Sequence, residues 1–326
     1  MRRLSVVAAA IAAVGVLVVA RAGGGPAAPA GGSVACGSAT RATIATADAT
    51  VTTAIDRNER WGTGVAFDFT QVSGASDLLS AVAADDRAAA LTAVSRIVFH
   101  PVWHIVRLRA LDTAGHLLAD VGGPYVIAPV PGVLRVDGRV IGSFLMSVQD
   151  DKGVTRLESL FVGNRVGIYL GGKLVAERGG NLPMTRPAGP ALSLGGVAYH
   201  VVTRTYPAFP TGRLAEVMLL APPALSLTAE TCAAVRAGEF GRVAERLARL
   251  TPGLSQNYDG YANSAHIYTG AEFFVRDGAT QLASSGGAGP AVIPKRGSVS
   301  YLGRHWLVFS FEPHPPTRVY LLIAPA

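Results

Sequence analysis

One short motif recurs three times and constrains this chain more than any other feature. It reads Leu118-Ala119-Asp120-Val121-Gly122-Gly123, then Val175-Ala176-Glu177-Arg178-Gly179-Gly180, then Leu282-Ala283-Ser284-Ser285-Gly286-Gly287. A repeat of this kind means one supersecondary plan used several times. Each copy follows a short apolar run and a tight turn: Val106–Leu111 with Thr113-Ala114-Gly115, Val166–Leu170 with Gly171-Gly172, and Phe273–Val275 with Arg276-Asp277-Gly278. After each Gly-Gly comes a variable stretch, then a glycine turn at Gly138, Gly195-Gly196 or Gly303. Each turn leads into a run with strand character: Val140–Val148, Ala198–Thr203 and Trp306–Phe311. The second and third copies add a last strand, Glu216–Ala221 and Arg318–Ala324. The unit is therefore a small antiparallel sheet with one long excursion after its second strand.

Helical patterns fill the intervals. Thr43–Arg60 places Ile44, Val51 and Ile55 on one face. Leu78–Val98 carries an apolar stripe divided by Asp85-Asp86, residues suited to capping a second piece. Thr228–Leu250 aligns Val235, Val243 and Leu247, and Thr155–Phe161 reads as one short helix. Thr185–Pro190 and Ser284–Pro294 read as loops.

Composition fits such a body. Hydrophobic residues make up 49% and charged residues 16%, which excludes a disordered or coiled-coil chain. The formal charge of +7 forms no basic run with interleaved aromatics, so no nucleic-acid partner is expected. Arg2-Arg3, the apolar run Leu4–Ala20 and the Gly/Ala/Pro stretch to Gly32 read as a secretory signal or an uncleaved membrane anchor. Either places the body outside the cytoplasm. In that oxidising compartment Cys36 and Cys232 are expected to form a disulfide, two buried thiols being the alternative. Closing so long a loop contributes on the order of 4–5 kcal/mol in the chain-entropy account.

Helices followed by a five-stranded antiparallel sheet, repeated behind an N-terminal membrane segment, resemble the extracytoplasmic PAS-like sensor domains of the Cache/PDC type. The residues that carry the resemblance are Leu111-Asp112-Thr113-Ala114-Gly115-His116-Leu117-Leu118-Ala119, similar to the family's first hairpin. Pro129–Arg135 and Asp137–Val148 are similar to its later strands, where a Gly-turned hairpin feeds an Ile-Gly strand. The resemblance implies an α+β fold of tandem units without an output domain. The expected divisions are 1–32 for the signal or anchor with its linker, 40–153 for helices and the first unit, 154–223 for the second, and 224–326 for a helix and the third. It also implies a non-catalytic, small-molecule-binding sensor that acts through a partner protein. The family's amino-acid-binding signature of Tyr, Arg, Trp and Asp has no match in the sequence.

In such domains the ligand lies between the sheet face and the excursion. Strand parity puts Arg107 and Arg109 on one face of their strand, and Ser147 and Gln149 on one face of theirs. Tyr125, in the excursion, is placed to close over them. Guanidinium, hydroxyl and amide groups together suit a carboxylate or another small polar anion. The alternative is a plain solvated sheet face, and with it a cell-surface structural or interaction protein without a pocket. An exported hydrolase has only the export segment in its favour.

Other motifs carry less. His100 and His104 have helical metal spacing, but Pro101 disfavours the helix. Asp150-Asp151-Lys152-Gly153 lacks the spaced oxygens of a calcium loop and reads as a polar turn. Gly167–Leu174 nearly spells a phosphate loop, but Leu174 stands where Ser or Thr is needed. No metal and no cofactor is expected. Asn257-Tyr258-Asp259-Gly260-Tyr261 with His266 and Tyr268 is a second aromatic, polar cluster.

Overall fold

A computed structural model describes residues 36–221 and 231–323. The export segment read over 1–32 lies outside the described residues, as do residues 222–230, where the third long helix was expected to begin. Among the described residues, no helix is long and apolar enough to cross a membrane.

Four helices open the body: α1 (Thr40–Trp61), α2 (Thr63–Ser73), α3 (Ser76–Ala83) and α4 (Arg87–Val98). Asp86 caps α4 by accepting from the Ala89 N–H, so the expected division at Asp85-Asp86 is present. The first sheet holds β1 (Arg107–Leu111), β2 (Leu117–Gly122), β3 (Val130–Val136) and β4 (Arg139–Ser147), in the order β2-β1-β4-β3. Helix α5 (Asp151–Val162) leads into β5 (Arg165–Leu170), β6 (Lys173–Arg178), β7 (Ala191–Leu194), β8 (Val197–Pro207) and β9 (Arg213–Leu220). Their order is β6-β5-β9-β8-β7. Helices α6 (Cys232–Leu250) and α7 (Tyr258–Thr269) precede β10 (Glu272–Asp277), β11 (Thr280–Ser284), β12 (Gly297–Tyr301), β13 (Arg304–His314) and β14 (Thr317–Ile323), ordered β11-β10-β14-β13-β12. The fold is α+β, with three antiparallel sheets that share one strand-order plan and helices packed against them.

The recurring motif occupies the same place in all three sheets. It is the second strand, at the edge beside strand one. Ala119 pairs with Ala110, Ala176 with Ile168 and Ala283 with Val275, and a β-bulge follows each of those pairs. The three alanines are buried where α4, α5 and α7 pack on β2, β6 and β11. A larger side chain there would push the helix off the sheet. The Gly-Gly step lets strand two leave the edge past the start of strand one. A Cβ on Gly122 would stand 2.2 Å from the Val106 carbonyl oxygen, and one on Gly179 2.7 Å from Arg165 Cγ.

The first sheet departs from the expected five strands: it has four. The Gly138 hairpin does not correspond to the Gly195 and Gly303 hairpins. Strand β4 pairs with β1, as β9 pairs with β5 and β14 with β10, so β4 is the counterpart of the last strand. What the first sheet lacks is the far edge strand, the counterpart of β7 and β12. The short excursion explains this. The N–H groups of Val126 and Ile127 donate to Asp151 of α5, and the Val126 carbonyl accepts from Phe209 N–H. These residues pack with Val154 of α5, Ile168 of β5, Leu214 of β9 and Ala208, so the segment is held there and not beside β3.

A disulfide joins Cys36 to Cys232, tying the approach to α1 to the first turn of α6. The main core collects Val51 and Ile55 of α1, Phe161 of α5, Phe240 and Val243 of α6, Tyr261 of α7, and Val166, Met218, Phe273 and Val319 of the second and third sheets. A separate core joins α2, α3 and α4 to the first sheet through Val72, Leu78, Val94, Leu108 and Phe144.

Candidate functional site

Alternation along β1 sends Leu108 and Ala110 into the helix-side core and turns Arg107 and Arg109 to the opposite face. Asp120 of β2 stands directly across from Arg109 in the register. Arg107 grips it bidentately, Nε to Oδ1 at 3.0 Å and Nη2 to Oδ2 at 2.8 Å. Its Nη1 donates to the Tyr125 carbonyl at 3.1 Å, and its guanidinium lies 4.7 Å from the Phe209 ring centroid. Arg109 Nε is 3.2 Å from the same Asp120 oxygen, yet its N–H makes no hydrogen bond. Two guanidinia therefore share one carboxylate, and all three side chains are at least three-quarters buried.

Ser147 sits opposite Arg107 across β1 and β4. It is fully buried, and its hydroxyl lies 2.7 Å from the Ile127 carbonyl oxygen, to which it donates. Tyr125 contributes its carbonyl. Gln149 goes elsewhere: it lines a cleft of about 260 Å³ with Glu59, Asp68 and His104. The structure thus gathers Arg107, Arg109, Ser147 and the Tyr125 backbone at one end of the sheet, and Gln149 contributes only its carbonyl, 3.1 Å from the Ser147 hydroxyl. Sequence reasoning missed Asp120, although the parity that found the arginines also places it on their face.

A second cluster was not read from the sequence at all. Arg204 of β8 lies opposite Glu216 of β9 in the register. Its Nη2 is 2.5 Å from Glu216 Oε1, 3.2 Å from Glu158 Oε1 of α5 and 3.4 Å from Asp56 Oδ2 of α1. Its Nη1 donates to Thr53 at 2.8 Å, and Tyr206 donates to Glu216 Oε2 at 2.8 Å. Ligand oxygens of the three carboxylates lie within 4.8 Å of one another. A divalent cation would suit that spacing, but the Arg204 guanidinium already stands among them, hydrogen-bonded to Glu216 and Glu158 and ion-paired with Asp56.

Burial pushes the Asp56 carboxyl up to about 7, and the charge of Glu216 adds to this, against the pull of Arg204 and Arg60. Burial likewise raises Glu158 well above the carboxylate range, helped by Glu216. Tyr206 is raised by burial and then by Glu216. Burial alone would lower Arg204, but the three carboxylates outweigh it and raise it further. Glu158 Oε2 is buried without a hydrogen-bond partner. A cleft of about 450 Å³ between α1 and β8 opens onto the cluster past Arg57, Arg60 and the exposed Trp61.

The remaining motifs have structural roles. His100 stacks on Trp103 at 4.1 Å, and the His104 N–H donates to Asp68, so the pair does not face a common point. Asp150 caps α5 through the Gly153 N–H, and Asp151 anchors the first excursion. Gly171-Gly172 is the β5–β6 hairpin turn. The Asn257–Tyr268 cluster is helix α7, where Asn257 accepts from Gly260 N–H and Tyr261 is buried with its hydroxyl on the Ala244 carbonyl. Gly260 inside the first turn and the run of polar residues hid that helix from a periodicity reading.

No protein-family model matches the chain, and no curated protein matches it. Among solved structures, it is similar to the periplasmic domain of Vibrio cholerae LuxQ at 12% identity and a TM-score of 0.33. That similarity covers 56% of this chain and 99% of the other. The fold assignment accordingly rests on the strand order and register of this chain.

Proposed function

We propose that this chain is an extracytoplasmic sensor module of the Cache type, with units over 40–153, 154–223 and 224–326, that takes a small anionic ligand against its first sheet. Arg107 and Arg109 are the ligand-binding pair, with Tyr125 and Ser147 holding the excursion that covers them. The observation that carries this reading is an unsatisfied donor: two largely buried guanidinia share the Asp120 carboxylate, and the Arg109 Nε–H makes no hydrogen bond. A buried donor without a partner is costly, and a ligand carboxylate would satisfy it. The Cys36–Cys232 disulfide supports the oxidising compartment. Binding would change the stability of the excursion and so bias the contact with a partner protein.

The test is a melting series on the purified body with acetate, lactate, succinate and citrate. A ligand at about a hundred times its Kd adds roughly 2.7 kcal/mol, so a rise of several degrees is expected for at least one. The rise should vanish in Arg109→Ala. A melting point that none of the four moves overturns the reading.

A second reading, an interaction protein without a pocket, is favoured by one observation. The faces beneath the second and third excursions are filled, by Tyr169, Leu182 and Tyr199 in one and by Phe274, Ile293 and Val308 in the other.

A further inference from the structure

We propose that Asp56, Glu158 and Glu216, gathered around Arg204, form a proton-binding site that clamps α1 onto the second sheet when protonated and loosens it when the proton leaves. Four elements deliver three carboxylates and one guanidinium to one buried knot: α1 gives Asp56, α5 gives Glu158, β9 gives Glu216 and β8 gives Arg204. Fully ionised, the knot holds two negative charges more than its guanidinium neutralises, and it holds them away from water.

Hydrogen bonding points the same way. Arg204 commits Nε and Nη2 to carboxylates and Nη1 to Thr53, and Tyr206 gives its only proton to Glu216. That leaves Glu158 Oε2 buried with no donor. A proton on Glu158 turns this oxygen from an orphaned acceptor into a donor, and the neighbouring Glu216 charge favours that form. The knot is thus complete with a proton and incomplete without one.

Every charged or titratable group facing the knot can be placed. From α1 these are Asp56, Arg57, Glu59 and Arg60. From β8 they are Arg204 and Tyr206, from β9 Glu216, and from α5 Glu158. Arg60 is engaged over the Tyr206 ring at 5.1 Å. Glu59 is itself raised by burial and adds negative charge. The cleft beside Trp61 gives the proton a route to solvent.

The sign follows from the raised carboxyls. Asp56 moves from 3.8 to about 7, so between those values the folded chain holds a proton that the unfolded chain releases. The stabilisation is complete at low pH and is lost as the pH rises through about 7. The α1 side of the clamp is Asp56 and Thr53, so the last turns of α1 are what loosens.

The experiment follows melting temperature and hydrogen exchange of the full chain from roughly pH 5 to 8. Wild type should melt lower as pH rises, and exchange protection over 53–61 should fall by on the order of tenfold. Glu158→Gln, which supplies a permanent donor, should flatten the exchange response over 53–61 and weaken the melting response, to which Asp48 also contributes. If Glu158→Gln does not fold, Asp56→Asn at the cleft edge carries the same expectation. Asp48→Asn is the comparator, because Asp48 is another raised carboxyl on α1 outside this knot. It should leave the exchange response of 53–61 intact. An unchanged pH response in the folded Glu158 or Asp56 variant, or its equal loss in Asp48→Asn, overturns the proposal. The first-sheet anion test is independent of either result.

Discussion

The three sheets share a backbone plan and differ in what lies beneath their excursions. At equivalent places on strand one, just before the residue that pairs with the motif alanine, the first sheet has Arg109, the second Gly167 and the third Phe274. Beneath the second excursion, Tyr169, Leu182, Tyr199 and Val217 make a closed apolar layer. Beneath the third, Phe274, Ile293, Val308 and Leu322 do the same. Beneath the first lie two arginines and an aspartate. One device is nonetheless common to all three: an arginine on strand one bonds a carbonyl of the excursion. Arg107 reaches Tyr125, Arg165 reaches Gly180 and Arg276 reaches Ala291. The difference teaches that the edge motif fixes the sheet, while the face opposite the helices is free to become either a core or a polar surface.

Three substitutions probe this contrast. The largest effect is expected from Phe274→Ala, which empties a fully buried position under the third excursion and should cost about 3–5 kcal/mol in urea unfolding. A cost under about 1 kcal/mol would mean that this face is not a core. Next comes Asp120→Ala, which leaves two guanidinia without their carboxylate. A fully buried pair broken this way costs about 3–5 kcal/mol, and partial exposure reduces that to about 2. Added chloride or acetate should restore part of the loss, which neither salt should do for Phe274→Ala. The smallest effect is expected from Arg109→Met. Removing a charge whose Nε–H is unpaired should change stability by less than about 1 kcal/mol while abolishing any carboxylate-induced rise in melting temperature. A large loss of stability with the ligand response intact would make Arg109 a structural residue and move the ligand site elsewhere.

Local signals were readable, and the elements they marked are present. The Ala of the motif needs only its neighbours on the edge strand and the helix above it, so three copies of one spelling mark three copies of one strand. The stripe through Val51 and Ile55 marks α1, and Asp86 marks the start of α4, because helix periodicity and capping act within a few residues. Parity placed Arg107 and Arg109 on one face for the same reason. The first sheet's missing edge strand was not readable. It follows from Asp151 and Phe209, which take hold of Val126 and Ile127 from elements distant in sequence. Gln149 shares parity with Ser147, but the chain turns into the Asp150 cap immediately after it, and the side-chain oxygen lies against Gly153 of α5.

Spelling along the chain was enough to decide where strands bend, where helices begin and which side chains share a face, since each of those depends on forces reaching only a few residues. The meeting of Asp56, Glu158, Arg204 and Glu216 was decided by packing. Two helices and two strands bring them together, and burial changes their protonation only after the water between them has gone.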